Sequence, residues 1–204
     1  MGLLLSNVEL RILSLYTSDY SIKFHVREIS RLLKTNHRTI SLTLQKLEEN
    51  RIVNSAVVGK NKQYYLNLSN NVTKEFIKIA EVCKSINFLS KNFLIKKMTE
   101  EFSNIMKITP IILFGSYAKG IEKKESDIDI AIIKGGNENI ITKLIKEFSQ
   151  RHNKTAQIQI FSKEQFENGV KKKNHLIVEI TKNHIIINNA EYFIDVLWRY
   201  HNER

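Results

Sequence analysis

A chain of 204 residues can bury one large domain or two small ones, and its seven glycines and single proline exclude collagen-like and long disordered stretches. Cys83 has no second cysteine for a disulfide or a thiolate metal site, which fits a reducing cytoplasm. The formal net charge of +11 favours a polyanionic partner such as nucleic acid, and no apolar stretch approaches the length of a membrane-spanning helix, so we expect no membrane partner.

The first 50 residues carry the apolar spacing of three short helices. Ser6 or Asn7 is predicted to cap the first helix. The second is predicted over about 25–33, with Leu32 among its inward side chains. The third follows a tight turn and continues to about residue 50, and its core face is predicted from the repeat of Ile40, Leu44 and Leu47.

Residues 51–68 change to the pattern of short strands. The apolar runs are 52–53, 56–58 and 64–66, and the polar segment 59–63 marks a hairpin turn between the last two. Three helices followed by a basic hairpin predict a winged helix-turn-helix domain over residues 1–69.

The segments HVREISRLL (25–33), NHRTI (36–40) and LEENRIV (47–53) resemble archaeal and bacterial winged-helix regulators of the ArsR and MarR type. The resemblance covers residues 1–68 and implies binding to double-stranded DNA, with protein contacts as the alternative use of such a domain. With the apolar face of the third helix inward, the opposite face and the hairpin tip are predicted to contact DNA through Asn36, Arg38, Ser41, Gln45, Lys60, Asn61 and Lys62.

Residues 70–104 are predicted to form a helical linker, as one long helix or as two in succession. Their apolar content exceeds what a solvated linker needs. Two interpretations remain open: the segment packs within its own chain, or it forms the interface of a homodimer.

From residue 105 to residue 204 strands and helices alternate, which predicts an α/β domain and an α+β chain overall. Its most informative run is an apolar strand at 111–114 that ends in Gly115-Ser116, followed by Asp127-x-Asp129 on the next strand. A glycine–serine turn exposes backbone N–H groups that bind phosphates, and glycine lets a phosphate approach closely. Two carboxylates two residues apart on a strand share a face, and a divalent cation relieves their repulsion.

The Gly-Ser turn, the ten residues that follow it and the Asp-x-Asp motif resemble the DNA polymerase β-like nucleotidyltransferase superfamily, and the small size resembles its minimal branch. The resemblance covers about residues 105–190 and implies a mixed sheet covered by helices. It implies that Asp127 and Asp129 are catalytic and bind Mg²⁺ or Mn²⁺. The phosphates of a nucleoside triphosphate, with ATP as the first candidate, are then expected at Gly115, Ser116 and Lys119.

Active members of that superfamily place a third carboxylate on a following strand, but the corresponding strand here, 156–161, carries Gln157 and Gln159. Glutamine cannot accept a proton at neutral pH and is a weak Mg²⁺ ligand, and Glu164 beyond the strand is the alternative acid. The missing acid favours a DNA-binding transcriptional regulator with a catalytically impaired nucleotide site. The intact Gly-Ser and Asp-x-Asp motifs favour an antitoxin-like nucleotidyltransferase that modifies a protein or RNA acceptor.

Overall fold

The computed structural model describes residues 5–59, 61–106 and 108–203, and for residues 105 and 106 the backbone alone. The chain divides into two compact units, an N-terminal unit of residues 1–80 with 201–204 and a C-terminal unit of residues 81–200. Among the described residues, no helix has both the length and the apolar content that a bilayer crossing requires.

The N-terminal unit consists of short helices and a small antiparallel sheet, in which β3 (Asn61–Leu66) lies between β1 (Phe24–His25) and β2 (Val53–Val58). Its core includes Ile12, Leu13, Ile29, Ile40, Leu44 and Leu47, which confirms the predicted core face of the third helix. The elements in chain order are α1 (Asn7–Ser14), β1 (Phe24–His25), α2 (Val26–Leu33), α3 (His37–Glu49), β2 (Val53–Val58), β3 (Asn61–Leu66) and the first part of α4 (Asn71–Lys91).

Local chemistry explains where these elements begin. The predicted cap of α1 is confirmed at Ser6: its hydroxyl accepts from the Glu9 N–H, and the Glu9 carboxylate accepts from the Ser6 N–H. Val58 pairs with Asn61 in the β2–β3 ladder, so β3 begins inside the segment 59–63 that was predicted as the hairpin turn. Gly59 has a φ of +61°, which suits a tight turn.

Leu32 departs from the prediction, because it is 49% exposed whereas Ile29 and Leu33 are buried. Successive residues of a helix are about 100° apart, so a short helix of eight residues buries one narrow face and leaves Leu32 outside it.

The C-terminal unit contains a four-stranded mixed sheet, which confirms the expected mixed sheet. Its strands lie in the order β6 (Ala156–Phe161), β5 (Ile128–Ile133), β4 (Ile111–Phe114) and β7 (Ile185–Asn188). Strands β5 and β6 are parallel, and β4 is antiparallel to both of its neighbours. Helices α4 and α5 are separate at Asn92, so the predicted linker segment forms two helices. The elements after α4 are α5 (Phe93–Met106), β4 (Ile111–Phe114), α6 (Gly115–Lys119), β5 (Ile128–Ile133), α7 (Glu138–Arg151), β6 (Ala156–Phe161), α8 (Lys163–Lys171), α9 (His175–Lys182), β7 (Ile185–Asn188) and α10 (Ala190–Asn202).

One face of this sheet carries a buried apolar cluster. Its strand residues Leu113, Ile128 and Ile130 belong to one buried cluster with side chains of α5 and α7, among them Ile95, Met98, Ile141, Ile145 and Phe148. Because side chains alternate along a strand, Asp129 lies on the opposite face, between Ile128 and Ile130. The alternation therefore keeps this carboxylate out of that cluster.

A buried ion pair joins α4 to the segment before β7. The Nε2 atom of His184 lies 2.8 Å from Oε1 of Glu81, and its Nδ1 atom lies 2.8 Å from the carbonyl oxygen of Thr181. A carbonyl and a carboxylate both accept hydrogen bonds, so both contacts are satisfied when both ring nitrogens carry hydrogen. Lys84 adds a second positive charge 3.5 Å from the other oxygen of Glu81.

Candidate nucleotide site and nucleic-acid surface

The candidate nucleotide site begins where β4 ends. Phe114 pairs with Asp129 across the β4–β5 ladder, and the chain turns into α6 at Gly115 with a φ of +68°. A Cβ atom on Gly115 would lie 2.0 Å from Oδ2 of Asp129, so the Asp129 carboxylate packs directly on the glycine backbone. The sequence predicted that this glycine leaves room for a phosphate, whereas the group that approaches it in the structure is the Asp129 side chain.

Asp127 precedes β5 and Asp129 is its second residue, and both are half-buried. Burial raises the pKa of Asp129, the negative charges of Asp127 and Glu179 raise it further, and Lys119 acts in the opposite direction. The two aspartates are therefore close enough to repel each other, as the Asp-x-Asp spacing suggests.

Gln157 occupies the place beside Asp129 on the neighbouring strand. The two residues are paired in the β5–β6 ladder, and Nε2 of Gln157 lies 3.5 Å from Oδ2 of Asp127 as a long hydrogen-bond donor. Gln159 lies two residues further along the same strand and is exposed like Gln157. The strand position expected for a third acid thus carries an amide that faces the aspartates.

Besides Asp127, a carboxylate of α9 affects the pKa of Asp129. Glu179 contributes to the raised pKa of Asp129, and its Oε1 atom lies 2.8 Å from Nζ of Lys119. Glu164, the sequence candidate, is exposed in the first turn of α8. Sequence reasoning missed Glu179 because it lies 60 residues from Lys119, and no local pattern connects them.

Within the described ranges, no three Asp, Glu, His or Cys side chains are grouped closely enough to hold a metal by themselves. Mg²⁺ commonly takes one or two carboxylates together with substrate phosphates and water. The neighbouring carboxylates of Asp127 and Asp129 therefore fit a metal that arrives with a nucleotide. Ser116 is half-buried directly after Gly115, and Lys119 ends the same short helix.

The predicted DNA-contacting residues of α3 have different surroundings. Arg38 is exposed in the first turn, and Asn36 caps the helix by accepting from the Arg38 N–H at 2.8 Å. Ser41 is half-buried, and the exposed Gln45 donates to Glu49 at 3.1 Å. Arg38 is thus the charged member of this set on an open helix surface.

The hairpin residues lie at the start of β3. Asn61 and Lys62 are exposed, and Nζ of Lys62 is 2.7 Å from a carboxylate oxygen of Glu48. Lys60 lies outside the described residues. Lys62 must therefore share its charge between Glu48 and any phosphate.

A cleft of about 610 Å³ lies between α2, the start of α3 and the start of β3. Arg27 and Arg31 enter it from α2 at a spacing of four residues, which places both on one face of that helix. The sequence analysis did not include these two arginines among the candidate DNA contacts, although their spacing of four residues can be read from the sequence. The remaining lining residues are His25, Val26, Glu28, His37, Asn61 and Lys62.

Residues 96–191 match the family model described as "Polymerase beta, Nucleotidyltransferase". The match spans the Gly-Ser turn, the two aspartates, Gln157 and Glu179, and it shows that a polymerase β nucleotidyltransferase domain lies in the C-terminal half of the chain. Neither a curated protein nor a solved structure matches the chain.

Proposed function

We propose that this chain is a DNA-binding transcriptional regulator whose nucleotidyltransferase domain binds a nucleoside triphosphate with Mg²⁺ or Mn²⁺. The single observation that carries the nucleotide half is the Asp129 carboxylate packed on Gly115 beside Asp127, inside the segment that matches the family model. Asp127 and Asp129 would hold the metal, with the phosphates at Gly115, Ser116 and Lys119. The metal would neutralise phosphate charge.

A second candidate is nucleotide transfer to a protein or RNA, as in an antitoxin-like enzyme targeted by its DNA-binding domain. Gln157 beside the aspartates argues against turnover, since an amide cannot accept a proton from an acceptor group. Glu179 favours transfer, because it brings a third carboxylate into electrostatic range of Asp129. We rank binding first because the strand position beside the aspartates carries the amide of Gln157 instead of an acid.

Asp127→Asn is expected to weaken binding of ATP with Mg²⁺ at least about tenfold, because it removes one of the two carboxylates that would hold the metal. Isothermal titration calorimetry on the full chain measures this, and binding without Mg²⁺ should change far less. Glu164→Gln is the matched control, since it removes an exposed acid of the same domain. Equal affinity of the wild-type chain and Asp127→Asn would contradict the proposed metal site.

Labelled ATP in the same preparation separates the two candidates. Label that appears on a protein or RNA acceptor and is lost in Asp127→Asn would establish transfer at this site. An unlabelled acceptor with intact ATP binding would support the regulator.

The DNA half of the proposal is supported by the N-terminal unit. Its helices α1 to α3 precede a hairpin, and β1 completes a three-stranded sheet, as the winged-helix interpretation requires. The outer surface of α3 offers Arg38 and the 58% exposed Leu42, and the neighbouring cleft adds Arg27 and Arg31. The proposed domains remain 1–69 for DNA binding, 70–104 as linker and 105–204 for the nucleotide, in a cytoplasmic protein.

Arg38→Ala is expected to weaken binding to duplex DNA about tenfold, because it removes an exposed cation from the proposed recognition helix. Gel-shift titrations on a duplex selected from random sequence measure this at several salt concentrations. Affinity should fall as salt rises, and each lost phosphate contact should lower the salt slope by about one. Lys143→Ala is the charge-matched control, since it removes a 78% exposed cation of α7.

A homodimer is part of the DNA proposal. Several apolar side chains of α4 and α5 are exposed in the single chain, among them Val82 at 47%, Ile86 at 62% and Phe93 at 78%. A second copy would cover such a surface. The same gel-shift titration reports the stoichiometry, which is expected to be two chains per duplex. DNA affinity independent of salt, or one chain per duplex, would contradict the corresponding part of the proposal.

A further inference from the structure

We propose that the Glu179 carboxylate pairs with Lys119 in the free protein and that a nucleotide phosphate replaces this carboxylate on Lys119 when the nucleotide binds. The released Glu179 carboxylate then no longer pairs with Lys119. This inference rests on the proposed nucleotide site and names the residue that controls access to its lysine.

Lys119 is placed to meet both anions. It is the last residue of α6, three residues after Ser116, so one helical turn separates it from the Gly-Ser turn. Its ammonium nitrogen lies 2.8 Å from Oε1 of Glu179 on α9, and the two side chains are 33% and 34% exposed. Water therefore reaches the pair, and an exposed ion pair of this kind contributes little stability, so exchanging its anion costs little.

The exchange follows from the chemistry of the two anions. A lysine ammonium has three N–H donors that can rotate, so its geometry suits a carboxylate oxygen and a phosphate oxygen equally well. A triphosphate carries more negative charge than one carboxylate, and hydrogen bonds to ionised acceptors strengthen with charge. Phosphate is therefore the stronger partner for Lys119 once it reaches the site.

The exchange also couples the nucleotide to the metal. In the free protein, Lys119 compensates part of the negative charge that Asp127, Asp129 and Glu179 bring together. When a phosphate pairs with the Lys119 ammonium, it brings further negative charge beside Asp127 and Asp129, which increases the demand for a divalent cation. Linkage then requires that metal and nucleotide each raise the affinity of the other.

The test uses the full chain, ATP without metal in the presence of a chelator, and four forms: wild type, Glu179→Gln, Lys119→Met and the double variant. Glu179→Gln is expected to tighten metal-free ATP binding about fivefold, because it removes the competitor for Lys119. In the Lys119→Met background the same substitution should change affinity less than about twofold. Glu167→Gln is the matched control, since Glu167 is 31% exposed and pairs with Arg199 at 3.1 Å in the same unit. It should leave ATP affinity unchanged.

Any result in which Glu179→Gln does not tighten metal-free binding overturns the exchange. The same gain in the presence and absence of Lys119 also overturns it, because it would show a general charge effect. Both failures leave Mg²⁺-dependent ATP binding by the wild-type chain intact. A wild-type chain that binds no ATP even with Mg²⁺ would instead overturn the proposed nucleotide site, and the exchange with it.

Discussion

Glu81→Ala is expected to lower the free energy of unfolding of the C-terminal unit by about 3–5 kcal/mol, the loss typical of breaking a buried ion pair on one side. Both side chains of the Glu81–His184 pair are fully buried, and their atoms lie 2.8 Å apart. Removing the carboxylate leaves the Nε2 atom of His184 without its acceptor, away from water. Denaturant titration followed by Trp198 fluorescence reports on this unit, since Trp198 is the single tryptophan and lies buried in α10.

Glu100→Ala supplies the matched control in the same unit, on which Trp198 also reports. Glu100 pairs with Lys96 four residues away on α5, but Glu100 is 66% exposed. An exposed pair contributes about 0–1 kcal/mol, so the control should unfold almost as the wild type does. Equal losses of unfolding free energy in the two variants would show that the buried pair stabilises the unit no more than an exposed pair does.

The pH dependence of the same pair has a definite sign. Burial alone would raise the pKa of Glu81, but the positive charges and hydrogen bonds of His184 and Lys84 outweigh it and hold this pKa below its ordinary value. The ionised carboxylate therefore stabilises the fold above the carboxyl pKa of the unfolded chain. That contribution is lost as pH falls through the lowered pKa of the folded state. The deficit of Glu81→Gln should thus be largest near neutral pH and shrink in acid.

Features that depend on neighbouring residues were predictable from the sequence. The apolar strand 111–114, the Gly-Ser turn and the Asp-x-Asp motif all appear at their expected places, because strand alternation and turn chemistry act over a few residues. The cap at Ser6 followed for the same reason. By contrast, a strand of two residues such as β1 carries no periodic signal at all.

Features that depend on packing between distant segments could not be read from local patterns. Glu81 and His184 are 103 residues apart, and Lys119 and Glu179 are 60 apart. Whether such residues meet depends on how helices pack on the sheet, which apolar spacing does not specify. The interpretation of the strand glutamines was therefore incomplete, because Glu179, whose charge helps to raise the pKa of Asp129, comes from a helix.

Gly115→Ala is expected to remove most Mg²⁺-dependent ATP binding and to lower the free energy of unfolding by about 1–3 kcal/mol. The new Cβ atom would lie 2.0 Å from Oδ2 of Asp129 and 2.8 Å from its carboxyl carbon, so the aspartate must rotate away from the turn. A φ of +68° also strains any residue with a Cβ atom. Titration calorimetry and denaturant unfolding measure the two losses separately.

Gly120→Ala separates the collision from the backbone strain. Gly120 has nearly the same φ, +67°, but no atom lies within 4 Å of the position of its Cβ. The control should therefore lose stability by about 1–2 kcal/mol while it keeps its affinity for ATP with Mg²⁺. If both alanine variants bind ATP as the wild type does, the contact between Gly115 and Asp129 is not what positions the carboxylate. If both lose binding equally, the strain of the turn, and not the collision, controls the site.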